Sequence, residues 1–138
     1  MGERMILLDS SFIIAYKVED DEHHEKASRL IDKIVTGEYG PPVITDYIFD
    51  ESITVVFNKT HQLKIAIGLG NELMGALDIL PINKDIFEKA WNIFKEQENT
   101  KFSFTDCTIL SFMKEMKINN IATFDKEFEK ITSVSIIK

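Results

Sequence analysis

Short apolar runs alternate along this chain with longer segments that have helical periodicity. Met5–Leu8 is wholly apolar, as expected for a strand that is buried on both faces of a sheet. Five short, largely apolar segments predict strands, at Met5–Leu8, Val43–Ile44, Asp78–Leu80, Ile121–Phe124 and Val134–Ile137.

The segments between these runs repeat their apolar residues every three or four positions. Ala27, Leu30 and Ile34 share one face of such a segment, which stops at Gly37. Thr45 or Asp46 is the expected cap of the third helix, and Asn83 or Asp85 that of the fifth. Helices are predicted over about Phe12–Val18, His23–Thr36, Thr45–Lys59, Leu63–Leu77, Asn83–Gln97 and Phe104–Lys117. Strands alternating with helices predict an α/β fold with a parallel sheet covered on both faces.

Length and composition predict one globular domain over residues 1–138. Apolar residues make up 44% and charged residues 28%, both ordinary values for a globular domain. No apolar run approaches the roughly 20 residues that a membrane helix needs, so no membrane association is expected. Cys107 is the single cysteine, which cannot form an internal disulfide, and the expected compartment is the cytoplasm.

Four acids, distant in sequence, lie where their carboxylates could reach one point. Asp9 and Asp125 each follow an apolar run, and in parallel sheets ligands bind outside the carboxyl ends of the strands. Glu51 lies one turn into the third helix, and Asp106 opens the sixth. Clusters of oxygen ligands hold hard cations such as Mg²⁺ or Mn²⁺, which would make this chain a metal-dependent phosphodiesterase.

Helix geometry separates Glu51 from its neighbour Asp50. Glu51 shares a face with Ile48 and Val55, so it points toward the packed side, whereas Asp50 points toward water. A buried carboxylate without a partner is costly, and a metal ion would serve as that partner.

Other interpretations stay open at this point. Asp9 and Asp125 could act only as helix caps. The formal net charge of −7 counts against nucleic-acid binding, although bound cations would reverse the local field. The three histidines lack zinc-ligand spacing, and no nucleophile elbow or phosphate-binding glycine motif is present. The phenylalanines are assigned to the core, at positions Phe102, Phe104, Phe112, Phe124 and Phe128.

Four segments, in order, resemble the PIN-domain nucleases and especially the VapC-type toxin ribonucleases. They are Leu7–Ala15 (LLDSSFIIA), Thr45–Glu51 (TDYIFDE), Phe102–Asp106 (FSFTD) and Ile121–Phe128 (IATFDKEF). The resemblance covers nearly the whole chain. Cys107 departs from it, since the family usually has a small Ala there.

The resemblance implies a three-layer α/β/α sandwich with a mostly parallel sheet of four to five strands. It implies Mg²⁺ or Mn²⁺ held by Asp9, Glu51, Asp106 and Asp125, with Ser11 and Thr123 orienting an acid or a water. The implied activity is endonucleolytic hydrolysis of single-stranded RNA by metal-activated water, leaving a 5′-phosphate and a 3′-hydroxyl.

A small antitoxin partner and a homodimer are also expected from this resemblance. Apolar residues of the third and fourth helices are candidates for the dimer interface or equally for the core, namely Ile53, Val56, Phe57, Ile65 and Leu69. The main alternative function is a catalytically silent module of the same fold that binds RNA or protein. A signalling receiver is disfavoured, because Ser10 and Ser11 stand where it would group further acids.

Overall fold

The computed structural model describes residues 4–138, and its centre is a five-stranded parallel sheet flanked by helices. The strands lie in the order β3-β2-β1-β4-β5, and every neighbouring pair is parallel. Their bounds are β1 Ile6–Leu8, β2 Pro42–Thr45, β3 Asp78–Leu80, β4 Asn120–Ala122 and β5 Ser135–Ile137. The predicted α/β/α fold class is confirmed.

Helices connect the strands, as parallel pairing requires. Their bounds are α1 Ser10–Lys17, α2 His24–Val35, α3 Asp46–Thr60, α4 Leu63–Ala76, α5 Lys84–Lys95 and α6 Phe104–Met116. A short 3₁₀ helix, η1, covers Lys126–Lys130. Of the alternative caps, Thr45 accepts a hydrogen bond from the Ile48 amide, and Asn83 from the Ile86 amide.

The first strand is the middle strand of the sheet, and its residues are the centre of the core. Ile6, Leu7 and Leu8 are buried, as predicted for a run that is apolar on both faces. Leu7 pairs in register with Val43 on one side and Ile121 on the other. The carboxyl ends of β1 and β4 therefore lie side by side, which brings Asp9 next to Thr123.

Two element boundaries differ from the sequence prediction at this edge of the sheet. The strand predicted over Ile121–Phe124 ends at Ala122, so Thr123 and Phe124 belong to the loop that follows. The first helix begins at Ser10 rather than Phe12. The strand ends early because the Phe124 and Asp125 amides donate to the hydroxyls of Ser11 and Thr123 instead of to a neighbouring strand. The helix begins early because the Asp9 side chain caps it at Ser10.

The exposure of individual side chains corrects some of the predicted core residues and divides the candidate dimer-interface residues. Phe102, Phe112 and Phe128 are buried as predicted, whereas Phe104 and Phe124 are only half-buried. Among the residues weighed for a dimer interface, Val56 and Leu69 are fully buried and belong to the core. Phe57 is exposed.

Within residues 4–138, no helix is both long and apolar enough to cross a bilayer.

Candidate functional site

Asp9 is a buried carboxylate at the carboxyl end of the central strand. Only 2% of its surface is exposed, and its amide donates to the Ala122 carbonyl of the neighbouring strand. Its side chain also caps α1, because Oδ1 accepts a hydrogen bond from the Ser10 amide at 2.8 Å. The capping role that the sequence left open is therefore present, and it fixes the carboxylate at the sheet edge.

Two hydroxyls hold the second oxygen of Asp9. The Ser11 Oγ donates to Oδ2 at 2.9 Å, and the Thr123 Oγ1 donates to the same atom at 2.6 Å. The two hydroxyl oxygens are 3.1 Å apart. Ser11 and Thr123 thus both hydrogen-bond the Asp9 carboxylate, and their role at a metal site stays a prediction.

Glu51 reaches the site through Ser10, a residue that the sequence analysis did not include in the site. The Ser10 Oγ donates to the Glu51 Oε1 at 2.7 Å, which ties the start of α1 to α3. Glu51 is half-buried and Asp50 exposed, as the helix geometry predicted. The one sequence signal for Ser10 was its position directly after Asp9 at a helix start.

Asp106 takes part in a capping box at the start of α6. The Asp106 amide donates to the Ser103 Oγ at 3.0 Å, and the Ser103 amide donates to the Asp106 Oδ2 at 3.1 Å. Burial raises the pKa of Asp106 to about 6, and the charges of Asp9 and Asp125 add to this effect. Asp106 therefore lies within electrostatic range of both acids.

Asp125 lies just beyond β4 and begins the 3₁₀ helix. Its Oδ1 accepts a hydrogen bond from the Glu127 amide at 3.0 Å, and its own amide donates to the Thr123 Oγ1 at 3.0 Å. Thr123 consequently joins the backbone of Asp125 to the carboxylate of Asp9.

The electrostatics of the cluster disfavour full ionisation. Burial raises the pKa of Asp9 more than the hydrogen bonds from Thr123, Ser11 and Ser10 lower it, and the charge of Glu51 raises it further. Among residues 4–138, none of the ion pairs involves Asp9, Glu51, Asp106 or Asp125. Negative charge is therefore concentrated here without a compensating basic side chain.

The donor set has the chemistry that Mg²⁺ and Mn²⁺ prefer, since carboxylates and hydroxyls supply only oxygen. The side chains are nevertheless not closed around one point. In the described part of the chain, no three His, Cys, Asp or Glu residues form a group that could hold a metal ion. Glu51 accepts a hydrogen bond from the Ser10 hydroxyl and Asp106 accepts one from the Ser103 amide, so one oxygen of each carboxylate already has a protein donor. The four-acid metal site stays a prediction.

Comparison with known proteins identifies the family. The PIN domain model matches residues 6–134, which is nearly the whole chain. The chain belongs to the PIN domain family. The family resemblance deduced from the four sequence segments is thereby confirmed.

Curated relatives of this PIN domain carry ribonuclease names. A VapC ribonuclease of Archaeoglobus fulgidus is 27% identical over 124 residues, covering 88% of this chain and 78% of its own length. Ribonuclease VapC6 of Methanocaldococcus jannaschii is 24% identical over 152 residues, covering 100% of this chain and 99% of its own.

Solved structures show the same PIN fold. VapC20 of Mycobacterium tuberculosis, described as a toxin that cleaves the sarcin-ricin loop, has a TM-score of 0.82 at 21% identity and covers 92% of this chain and 95% of its own. VapBC2 of Rickettsia felis, bound to a promoter DNA fragment, has a TM-score of 0.71 at 11% identity and covers 96% and 97%.

Proposed function

We propose that this PIN domain is an endoribonuclease that uses Mg²⁺ or Mn²⁺ to hydrolyse phosphodiester bonds of single-stranded RNA. We further propose that it acts in the cytoplasm as the toxin of a toxin–antitoxin pair. The ribonuclease names of its relatives support the reaction class. The observation that carries the proposal is Asp9, a buried carboxylate at the end of the central strand with further acids around it and no basic partner in the described chain.

The protein's own residues divide the work at this site. Asp9, Glu51, Asp106 and Asp125 would hold the cation, which supplies positive charge to a phosphate and makes a nearby water more acidic. Ser11 and Thr123 keep the Asp9 carboxylate in one orientation through their hydrogen bonds to Oδ2. Ser10 positions Glu51 in the same way. Pre-positioned side chains of this kind reduce the reorganisation that the reaction would otherwise require.

The decisive experiment compares RNA cleavage by the wild-type protein and by Asp9→Asn. We expect Mn²⁺-dependent cleavage of a single-stranded RNA that EDTA abolishes. Asp9→Asn should lower the rate at least ~100-fold, because losing a charged ligand removes several kcal/mol of charge stabilisation. Asp50→Asn is the matched control, since Asp50 is an exposed acid beside Glu51, and its rate should equal that of the wild type. Cleavage that persists in both EDTA and Asp9→Asn would refute these acids as the catalytic centre.

A catalytically silent PIN module is the alternative. The observation in its favour is that the His, Cys, Asp and Glu side chains of the described residues form no closed metal site. Titration calorimetry with Mn²⁺ separates the two. An endoribonuclease should bind Mn²⁺ with a heat signal that Asp9→Asn removes. No measurable binding, together with no cleavage, would favour the silent module.

A small antitoxin is the proposed protein partner, as in the VapBC complexes with the same fold. An apolar cavity of about 280 Å³ supports the proposal of an antitoxin partner. An amphipathic helix of the partner can bury its apolar face in such a cavity. The cavity lies among α1, α2 and α4 and includes Phe12, Ile31 and Leu73 in its lining. A homodimer remains a further proposal, and Phe57 is the exposed member of the interface residues suggested by the sequence.

A further inference from the structure

Glu127, on the 3₁₀ helix η1, is a further acid next to the candidate site. It follows Asp125 by two residues, and its own amide donates to the Asp125 Oδ1 at 3.0 Å. Its side chain is 20% exposed. The groups that its carboxylate contacts decide whether it belongs with the four candidate ligands or serves the site in another way.

The Glu127 carboxylate has two donors within the protein. Its Oε2 accepts a hydrogen bond from the Lys101 amide at 2.6 Å and another from the Lys130 Nζ at 3.0 Å. Hydrogen bonds to an ionised carboxylate are roughly twice as strong as those between neutral groups. An oxygen that serves both a backbone amide and an ammonium group is in the environment of a structural acceptor, and not of a cation ligand.

Lys130, at the other end of η1, holds the same segment at a second point. Its Nζ donates to the Asn99 carbonyl at 3.0 Å as well as to Glu127. Residues 96–103, which connect α5 to α6, are therefore joined to η1 through one backbone carbonyl and one backbone amide. We call these residues the α5–α6 loop.

The α5–α6 loop is also ordered internally. The Gln97 Oε1 accepts hydrogen bonds from the Phe102 amide at 2.7 Å and from the Thr100 hydroxyl at 2.8 Å, and the Gln97 Nε2 donates to the Phe102 carbonyl at 3.0 Å. The Phe102 ring packs against Phe128 of η1, with centroids 5.1 Å apart, and both rings are buried. The loop and η1 thus form one packed unit, through which a change at one end can reach the other.

The two ends of this unit carry two of the candidate acids. Asp125 caps η1 at its start. Asp106 forms the capping box of α6 with Ser103, the last residue of the α5–α6 loop. The separation of the Asp106 and Asp125 carboxylates therefore depends on how the loop is attached to η1.

We propose that Glu127 is a positioning residue, which fastens the α5–α6 loop to η1 and so fixes Asp106 relative to Asp125. Its effect on the reaction rests on the ribonuclease function proposed above, because a shared cation is what requires the two carboxylates at a set distance. Removing a partner that orients a metal ligand typically costs about 10–100-fold in metal affinity.

The negative charge of Glu127 is the competing explanation for any influence on a cation. The Lys130 ammonium group lies 3.0 Å from the Glu127 carboxylate and offsets that charge at a distance. The hydrogen bond to the Lys101 amide has no such compensation, because an amide without its acceptor loses its hold on η1. The contacts therefore favour position over charge.

Three variants separate position from charge. Glu127→Ala removes both the acceptor and the charge. Glu127→Gln removes the charge but keeps an oxygen that can accept from the Lys101 amide. Glu129→Ala is the matched control, because Glu129 is an exposed acid of the same 3₁₀ helix that pairs with Lys138 at 3.0 Å.

Calorimetric titration of each variant with Mn²⁺ measures the consequence. Glu127→Ala should raise the Kd about tenfold, whereas Glu127→Gln and Glu129→Ala should stay within about threefold of the wild type. Equal increases in Glu127→Ala and Glu127→Gln would assign the effect to charge and overturn the proposal. A wild-type Kd in Glu127→Ala, with a lower free energy of unfolding in urea, would also overturn it, because Glu127 would then affect stability alone.

The position of Asp106 can also be measured without metal. In amide NMR spectra of the metal-free protein, Glu127→Ala should shift the resonances of Ser103 and Asp106 and leave that of Glu51 in place. Lys130→Met removes the attachment to the loop carbonyl and should shift the same two resonances, so the test does not depend on the folding of one variant. Shifts confined to η1 in both variants would overturn the proposal.

The positioning and ribonuclease proposals fail separately, because the amide shifts require neither metal nor RNA. The expected shifts in a protein that neither binds Mn²⁺ nor cleaves RNA would refute only the ribonuclease. Mn²⁺-dependent cleavage without a shift at Asp106 would refute only the positioning role of Glu127.

Discussion

Thr123 connects three parts of the candidate site through one hydroxyl. It donates to Asp9, accepts from the Asp125 amide and lies beside Ser11. It is 1% exposed, so water cannot replace these bonds. Removing the hydroxyl therefore leaves buried polar groups without partners.

We expect Thr123→Val, which keeps the shape of the side chain, to lower the free energy of unfolding by about 1–3 kcal/mol. Urea denaturation of the metal-free protein measures this effect. Thr123→Ser is the control, because it retains the hydroxyl and should lose much less. Equal losses in both variants would show that the methyl group, and not the hydrogen bonds, matters.

Asp106 should make the stability of the metal-free protein depend on pH. Its pKa in the folded protein is about 6, above the ordinary 3.8, so the folded state holds its proton more tightly than the unfolded state does. Its contribution to stability is therefore greatest at low pH and is lost as pH rises through about 6. Asp106→Asn removes this dependence.

Urea unfolding at several pH values checks this sign. Asp106→Asn should gain about 1 kcal/mol relative to the wild type at pH 7.5, after allowance for solvent screening of this half-exposed group. The gain should shrink toward pH 4. A difference that is constant with pH would contradict the raised pKa.

At the residue scale, the sequence singled out four candidate acids but did not show how their side chains are held. Asp9 and Asp125 were recognisable because each follows an apolar run. The bond from Ser10 to Glu51 joins residues 41 positions apart, and no local pattern encodes such a contact. Hydroxyl networks depend on rotamers, which are settled only when the elements pack.

The turn before β2 depends on two glycines with positive φ. Gly37 has a φ of 89° and Gly40 a φ of 88°, a conformation that other residues rarely adopt. A Cβ on Gly40 would lie 1.7 Å from the Arg4 carbonyl oxygen, whereas a Cβ on Gly37 would meet nothing within 4 Å. The chain before β1 thus packs directly on the Gly40 backbone.

Gly40→Ala should destabilise the protein by more than about 3 kcal/mol, because strain and a backbone collision add together. Gly37→Ala should cost only about 1–2 kcal/mol, since it has the strain alone. Thermal denaturation of the two variants measures the difference. Equal losses of stability in the two variants would show that the close approach of Arg4 to Gly40 does not affect stability.

At the element scale, prediction succeeded where periodicity is long and was weakest at the boundaries. Within residues 4–138, the five strands and six α-helices lie where the pattern placed them, apart from their boundaries. Thr123 and Phe124, at the end of the predicted fourth strand, belong to the loop instead. The Phe124 amide donates to the Ser11 hydroxyl there, in place of a hydrogen bond to a neighbouring strand. Periodicity alone cannot show where a ladder stops.

Cys107 reports on the stability of the whole molecule. The thiol is fully buried on α6, and burial raises its pKa to about 11. It should therefore react with a disulfide reagent at pH 8 only when the protein unfolds, since the thiolate is the reactive species.

Labelling kinetics measure this protection. The native protein should label at least about 100-fold more slowly than the same chain in urea, where the thiol pKa returns to roughly 8.5. Rapid labelling of the native protein would mean that α6 detaches locally from the sheet.

At the scale of the whole molecule, the alternation of elements predicted the parallel sheet and therefore the edge at which the site forms. The order of the strands in the sheet is known only from the structure, since short apolar runs of similar composition do not show which strands pair with each other. The ring contacts of Phe104 with Phe87 and Trp91 were also missed, because Phe104 looks like a core residue until α5 and α6 are packed together.

The central position of β1 has a consequence during synthesis. Strand β1 leaves the ribosome before β4, so it cannot gain this second neighbour until residues 120–122 have been translated. Asp9 acquires the Thr123 hydroxyl at the same late moment, across 114 positions. Contacts between residues this far apart in sequence form slowly and are among the last to form. A growing polypeptide therefore lacks the assembled Asp9–Thr123 cluster until residue 123 has been translated.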